Sequence, residues 1–370
     1  MLGELLDRTV TGCLGAIPNP ELEAYVQGVG NRLAEHSSLD GWTFRLLPEH
    51  RPLAFDLPGR YVHVALGLVV RLNSEAELAA VLAHEMGHEL EGHLDERLVE
   101  LVTLGRAAPH RLDDEVTADR RAVRLLRRSG YDPAALSTVL RALARYRAAD
   151  VAALHERASI VDGMIAGQDE PSSDDGRARY LRALDGTVLS EPGPSIALPS
   201  GWGTEPLAAS PCEPIALNSP DGNRMVISAH QTEAPEDLGR RVLAPAAPEG
   251  FELYVRSELQ HERLVVIAAM RREASSSWRE FRYWGPSGAT EDDAIRLFRS
   301  MVGDQATGQR IRMVRAEPNE TLRAVRDRAC PDAPLGLVVS LTEVGADAVI
   351  GSEIAVRCVE RWGADERDRK

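Results

Sequence analysis

A segment rich in proline and glycine divides the chain into two parts with different patterns. Between Leu184 and Pro214, six prolines alternate with four glycines, and both residue types interrupt helices and strands. The residues before this segment show mainly helical periodicity, whereas those after it show short β-type runs broken by two helical stretches. The sequence therefore predicts an α+β protein, with a mostly helical domain over 1–185, a linker over 186–214 and a smaller α+β domain over 215–370.

The composition excludes several functional classes. The 370 residues include 43 Lys+Arg and 57 Asp+Glu, which gives a net charge of −14. We therefore expect no nucleic-acid partner, because phosphate contacts require excess positive charge. The only lysine is Lys370, which excludes a phosphate-binding P-loop lysine or a Schiff-base lysine within the fold. No apolar run is long enough for a transmembrane segment, and residues 1–11 contain no readable secretory signal.

Two histidines lie four residues apart in the best-specified helix of the chain. The spacing of Ser74 and Glu77 is that of a capping box and places the start of this helix. His84 and His88 then lie one turn apart on one face and can bind the same metal ion. Glu85 follows the first histidine, the position of the carboxylate that takes a proton from metal-bound water in H-E-x-x-H zinc peptidases. The alternative is a surface helix that carries two histidines by chance.

A third ligand is available on the next predicted helix. Catalytic zinc uses three protein ligands and an open fourth position, and Glu115 could complete a His₂Glu set. Asp119 lies four residues later on the same face, where it could accept a hydrogen bond from a ligand histidine and fix its tautomer. Taken alone, Glu115 is typical of an exposed glutamate in a first helical turn. Its combination with the H-E-x-x-H motif favours the ligand.

These residues together carry a family resemblance. The run Ala79–His88, followed by His93 and then by Glu115-x-x-Ala118-Asp119, resembles the zinc metallopeptidase family M48. A Pro-Gly segment before the motif and a Gly-Tyr-Asp-Pro segment after it are also similar to family segments. His93 matches a family histidine that is usually not a ligand, so the resemblance implies a structural role for it.

The resemblance spans about residues 20–185 and implies both a fold and a site. The fold would be a mostly helical zincin domain of the gluzincin type with a small edge-strand sheet. The resemblance implies one Zn²⁺ per chain, with His84, His88 and Glu115 as its ligands and Glu85 as the general base.

The resemblance also implies an activity. A zinc-dependent metalloendopeptidase of this kind would hydrolyse peptide bonds of unfolded or misfolded polypeptides, in envelope protein quality control. The alternative is a latent or chaperone-like zinc-binding protein that binds polypeptides with little cleavage. The retained Glu85 favours the enzyme, since a protein that only binds has little use for the base. No protein partner other than substrate polypeptides is predicted.

A substrate-binding strand is predicted beside the zinc, at the edge of the small sheet. An extended polypeptide could add to such an edge through main-chain hydrogen bonds. The residues of this predicted edge strand are Tyr61, Val62, His63, Val64 and Ala65.

One departure from the family pattern concerns Glu170. Many relatives have a Thr-His-Pro segment whose histidine can approach the zinc, and Glu170 stands where that histidine would be. An ionised glutamate cannot donate to a developing oxyanion, but it could bind zinc as a fourth ligand and hold the enzyme latent. The alternative is a solvated loop residue.

The sequence does not determine the cellular compartment of the protein. The family likeness is to the soluble periplasmic branch, which implies an extracytoplasmic location, but without a readable signal a cytoplasmic location is also possible. Cys330 and Cys358 could form a disulfide in an exported protein or remain two buried thiols in a reducing compartment.

Overall fold

A computed structural model describes most of the chain. The described residues are 2–14, 19–49, 52–93, 112–145, 151–166, 175–190, 193–196, 203–204, 215–219, 222–227, 238–243, 251–260, 263–272, 278–285, 288–305, 307–342, 344–351 and 355–363.

Helices and strands are both abundant, which confirms the α+β class. The helices are α1 (Leu2–Leu14), α2 (Pro20–Ala34), α3 (Leu66–Val69), α4 (Glu75–Glu91), α5 (Leu112–Arg128), α6 (Ala134–Leu143), α7 (Val151–Ile165), α8 (Arg177–Leu184), α9 (Glu291–Met301), α10 (Leu322–Ala329) and α11 (Leu335–Thr342). The strands are β1 (Thr43–Leu47), β2 (Ala54–Leu57), β3 (Tyr61–Ala65), β4 (Val188–Ser190), β5 (Gly193–Ile196), β6 (Gly203–Thr204), β7 (Ile215–Asn218), β8 (Arg224–Ile227), β9 (Arg240–Val242), β10 (Phe251–Gln260), β11 (Arg263–Arg272), β12 (Trp278–Trp284), β13 (Val302–Gln305), β14 (Thr307–Arg315) and β15 (Ala355–Gly363). No described helix is both long and apolar enough to cross a membrane.

The chain forms two compact units, and the residue ranges of these units differ from those of the predicted domains. The first unit comprises Met1–Asp7, Ile17–Val188 and Arg310–Glu360, and the second comprises the intervening and terminal residues. The predicted accessory domain 215–370 therefore contributes residues 310–360 to the helical unit. The predicted linker 186–214 contains the short strands β4, β5 and β6 among its described residues.

Helix α4 has well-defined ends. The Ser74 hydroxyl accepts a hydrogen bond from the Glu77 backbone N–H at 3.2 Å, so the predicted N-terminal cap forms. At the other end, Gly92 adopts the left-handed conformation with φ 80°, which glycine tolerates best and which stops the helix. Residues 75–83 of α4 are all buried, so the first half of this helix is enclosed on every side by the first unit.

The small sheet of the first unit corrects one prediction. Its strand order is β1-β3-β2, with β1 parallel and β2 antiparallel to β3. The Tyr61–Ala65 strand is therefore central, and the prediction that it forms the sheet edge was wrong. Strand β2 is the end strand on the other side, and sequence reasoning missed it. Residues 62–65 are all buried, as expected for a strand paired on both sides.

Residues 310–360 join the first unit through backbone and buried side-chain contacts. Ile311 exchanges two backbone hydrogen bonds with Gly186 and Thr187, each 2.8 Å long. Arg357 is only 1% exposed, and its guanidinium donates to the Leu72 carbonyl and the Asn73 side chain just before α4.

A disulfide closes this segment internally. Cys330 at the end of α10 and Cys358 in β15 are bonded and are separated by 28 residues. Of the two alternatives that the sequence left open for these cysteines, the structure contains the disulfide.

The second unit is built on an antiparallel sheet. Seven strands follow the order β6-β7-β8-β12-β11-β10-β9, and α9 contributes Ala294, Ile295 and Phe298 to the core on one face. Phe281 and Tyr283 lie in the same core. Among its described residues, this unit contains no cluster of potential metal ligands.

Candidate metal centre

The packing of α4 against α5 brings the predicted site together. Gly87 lies directly against Ala118, and a Cβ at position 87 would come within 2.7 Å of the Ala118 carbonyl oxygen. Only glycine on one helix and a small residue on the other permit this approach. Because Gly87 lies between the two histidines in sequence and Ala118 lies between Glu115 and Asp119, the close contact places all four side chains at one interface.

Two histidine nitrogens and the two oxygens of the Glu115 carboxylate come together at a spacing close to that of a zinc site. The Nε2 atoms of His84 and His88 lie 3.2 Å apart. Glu115 Oε2 lies 3.5 Å from His84 Nε2, and Glu115 Oε1 lies 3.7 Å from His88 Nε2. Zinc–ligand bonds of about 2.0–2.1 Å in a tetrahedron separate the ligand atoms by about 3.3 Å. This triad is the only group of its kind among the described residues, and its donor set and spacing both fit a zinc ion.

Each histidine is held at its second nitrogen. His84 Nδ1 lies 2.9 Å from Asp119 Oδ1, so a proton on Nδ1 leaves Nε2 free for a metal. His88 Nδ1 lies 3.0 Å from His93 Nδ1. The sequence suggested the Asp119 contact, but it gave no specific partner for His93, which orients the second ligand histidine here.

An arginine that sequence reasoning missed completes the cluster. Arg157 of α7 is 7% exposed. It donates to both oxygens of Asp119 at 2.8 Å and forms an ion pair with Glu115 Oε2. One signal was available in the sequence: Arg157 interrupts the apolar stripe of α7, which buries Leu154, Ala158 and Val161.

The charges of the cluster shift its pKa values strongly. Burial opposes protonation of His84, but hydrogen bonds to Asp119 and Glu115 outweigh it and raise the pKa of His84 to about 10. Burial likewise opposes ionisation of the two acids. Hydrogen bonds from His84 to Glu115, and from Arg157 and His84 to Asp119, nevertheless lower the pKa of both carboxyls. Without metal, a proton on His84 therefore occupies the centre of the cluster.

The proposed base lies on the same helix, facing strand β2. Glu85 is half-buried. Burial, together with the charges of Glu85 and Glu89, raises the pKa of the buried Asp56 in β2 well above its usual value. The backbone N–H of Gly59, in the turn after β2, donates to Glu89 Oε1 at 3.2 Å. Strand β2 and its turn therefore border the motif helix.

The remaining predicted site residues are placed elsewhere or are not described. In β3, His63 Nε2 lies 2.9 Å from Asp7 Oδ1 and His63 is completely buried, so this side chain belongs to the core of the sheet. Glu170 lies outside the described residues.

The comparisons with known proteins agree with this geometry. Residues 18–108 match Peptidase family M48, a range that contains the H-E-x-x-H motif. Over these residues the chain is similar to peptidase family M48. The sequence resemblance to the family is thereby confirmed, although the third ligand, Glu115, lies just beyond the matched residues.

Individual relatives of the M48 segment are similar over part of their length. The chain is 27% identical over 184 residues to the beta-barrel assembly-enhancing protease of Escherichia coli (strain K12), covering 39% of this chain and 38% of that protein. It is 29% identical over 136 residues to the mitochondrial metalloendopeptidase OMA1 of Arabidopsis thaliana, covering 30% and 28%. This chain thus spans well under half the length of these relatives.

One solved structure gives a weak match. A crystal structure from Bacteroides thetaiotaomicron VPI-5482 covers 33% of this chain and 50% of its own, at 11% identity and a TM-score of 0.22. This similarity is too low to support an argument about the fold.

Proposed function

We propose that this protein is a zinc-dependent metalloendopeptidase with one Zn²⁺ per chain. The observation that carries the proposal is the convergence of His84 Nε2, His88 Nε2 and the Glu115 carboxylate at 3.2–3.7 Å, beside a retained Glu85. The M48 match of residues 18–108 supports the same reaction class. The proposal includes the zincin fold type that the family resemblance implies.

The side chains have separable parts in this chemistry. When bound, zinc supplies a Lewis acid and an activated water. His84, His88 and Glu115 hold the ion, and Asp119 keeps the Nδ1 proton of His84 in place. Glu85 receives the proton that the attacking water releases and delivers it to the leaving amine. Burial of the cluster on the α4–α5 interface strengthens these charge interactions, because bulk water is excluded.

Strand β2 is the better candidate for substrate binding, since β3 is central. Strand β2 stands at the end of the strand order β1-β3-β2, next to the helix that carries Glu85. An extended polypeptide could pair through the main chain with the edge of β2 that faces away from β3, largely independently of sequence. Such binding favours unfolded segments, which fits a role in protein quality control.

Two observations support an extracytoplasmic setting. The Escherichia coli relative is by name a beta-barrel assembly-enhancing protease. The Cys330–Cys358 disulfide is of a kind that persists in oxidising compartments and is rare in reducing ones. We propose that the protein acts on misfolded polypeptides in the cell envelope.

The decisive experiment measures zinc and cleavage in the same preparations. The wild-type chain and Glu85→Gln are each assayed for zinc content and for hydrolysis of an unfolded protein such as reduced, alkylated casein. We expect one zinc per chain in both, and hydrolysis reduced at least about 100-fold in Glu85→Gln. Wild-type protein without zinc, or equal cleavage by both proteins, would refute the proposal. Zinc-loaded wild type that binds casein without cleaving it would instead favour the chaperone-like alternative.

A further inference from the structure

The apolar face of α7 contains one cation. Leu154, Ala158 and Val161 bury their side chains at helical spacing, and Arg157 takes a position in the same stripe with only 7% exposure. Burying a guanidinium is costly unless it is ion-paired and hydrogen-bonded. The partners of Arg157 therefore indicate why an arginine is present at this position.

Those partners are the residues of the metal centre. Arg157 Nε donates to Asp119 Oδ2 at 2.8 Å, and Nη2 donates to Asp119 Oδ1 at 2.8 Å. The third nitrogen, Nη1, pairs with Glu115 Oε2. Two parallel bonds fix the carboxylate of Asp119 in both position and orientation, and a lysine could not reproduce this fork.

The fixed carboxylate in turn determines the tautomer and the ring orientation of His84. Asp119 Oδ1, which Arg157 holds, is the atom that lies 2.9 Å from His84 Nδ1. A proton shared along this contact stays on Nδ1, so His84 Nε2 faces the other ligands with its lone pair. Without Arg157, Asp119 could rotate, and His84 would lose a defined tautomer and ring orientation.

We propose that Arg157 is a positioning residue of the metal centre, acting on zinc through Asp119 and His84. The proposal rests on the proposed function, because it assumes that the triad holds zinc. It assigns no contact between Arg157 and substrate. Its simplest competitor is a purely structural role, in which Arg157 only joins α7 to α5.

The test is a double-mutant cycle on zinc affinity in the full-length chain. The variants are Arg157→Lys, Arg157→Gln, Asp119→Asn and the double variant Arg157→Gln/Asp119→Asn. The dissociation constant for Zn²⁺ is measured by competition with a chromogenic chelator, and the visible spectrum of the Co²⁺-loaded protein reports ligand geometry. Arg141→Gln is the matched control, since Arg141 forms an exposed ion pair with Asp162 of α7.

The expected results separate positioning from structure. Arg157→Lys keeps the cation but not the fork, and both Arg157 variants should bind Zn²⁺ about 10-fold more weakly with an altered Co²⁺ spectrum. In the Asp119→Asn background, Arg157→Gln should weaken binding by a smaller factor than it does alone, because its route through Asp119 is already broken and only its direct contacts with Glu115 and His84 remain. Arg141→Gln should match the wild type.

Several outcomes would overturn the proposal. Wild-type Zn²⁺ affinity in a folded Arg157→Lys or Arg157→Gln protein would exclude the positioning role, as would additive effects in the cycle. Loss of the fold in both single Arg157 variants, seen by circular dichroism, would show a structural role instead. These outcomes leave wild-type zinc binding and hydrolysis intact, so they are distinct from failure of the proposed function, in which the wild type itself lacks zinc or activity.

Discussion

Helix α4 carries a buried polar cluster at each end, and each cluster contains a carboxylate paired with arginine. At its start, Glu75 is 3% exposed, and its two oxygens accept hydrogen bonds from Tyr25 at 2.6 Å, Tyr131 at 3.1 Å, Arg32 at 3.3 Å and Arg179 at 3.2 Å. These donors come from α2, from the turn after α5 and from α8. The carboxylate is saturated, so the cluster joins elements together and has no free lone pair to offer a metal.

In the cluster near the other end of α4, hydrogen-bond acceptors outnumber donors. When His84 and His88 carry their protons on Nδ1, their Nε2 lone pairs face each other across 3.2 Å, and the Glu115 carboxylate adds further acceptors. Without metal, the proton on His84 and the guanidinium of Arg157 offset part of this excess, and a metal ion bound between the two Nε2 atoms would replace that proton. The comparison shows that burial and charge alone do not mark a metal site; the excess of acceptors over donors does.

The largest expected effect is the loss of Zn²⁺ affinity when one ligand of the metal cluster is removed. His84→Ala should weaken Zn²⁺ binding by at least about 1,000-fold, since one of three protein bonds to the ion is lost. Glu75→Gln should leave the Zn²⁺ dissociation constant unchanged within about twofold. Both constants can be measured by chelator competition, and a large loss of affinity in Glu75→Gln would show that the two ends of α4 are not independent.

A smaller effect is expected where the C-terminal segment holds the start of α4. Arg357→Met should lower the free energy of unfolding by about 3 kcal/mol, because it leaves the Leu72 carbonyl and the Asn73 side chain without a buried donor. Chemical denaturation of the zinc-loaded protein measures this, with Arg323→Met as an exposed control. An unchanged stability would indicate that residues 310–360 contribute little to the first unit.

The saturated cluster should show its role in stability rather than in binding. We expect Glu75→Gln to lower the free energy of unfolding by about 2 kcal/mol, since the amide cannot accept charge-assisted hydrogen bonds from Arg179 and Arg32. Both arginines are partly exposed, so water compensates part of the loss. Urea denaturation measures the change; a stability equal to that of the wild type would contradict the joining role.

The last expected effect concerns the pH dependence of stability. The raised pKa of His84, about 10 without metal, means that its contribution to stability is complete below the unfolded-state value near 6.5 and is lost as pH rises toward 10. The melting temperature of the metal-free protein should therefore fall by several degrees between pH 7 and pH 10. In calorimetric scans in the presence of a chelator, the melting temperature of the His84→Gln protein should fall less over this pH range. An identical fall in the wild type and the variant would assign the effect to other groups.

Much of the metal centre could be anticipated because its determinants are local. The cap at Ser74, the one-turn spacing of His84 and His88, and the i, i+4 pair Glu115 and Asp119 all follow from helix geometry within a few residues. The sequence also predicted the α+β class and the M48 relationship. Strand β2 escaped detection because it is four residues long and shows no clear alternation, and its absence led to the wrong assignment of Tyr61–Ala65 as an edge.

Other features depend on contacts between residues far apart in the chain. Arg157 and Asp119 are separated by 38 residues, and Arg357 lies 285 residues from its acceptor Leu72. The sequence showed an arginine in an apolar stripe, but it held no information on which residues this arginine would contact. By itself the sequence determined the ligand types and their helical spacing, because these are set by short-range geometry. Only the tertiary structure decided the order of the strands, whether Cys330 and Cys358 are bonded, and which cation holds Asp119, because buried charges and strand edges find their partners through packing of the whole unit.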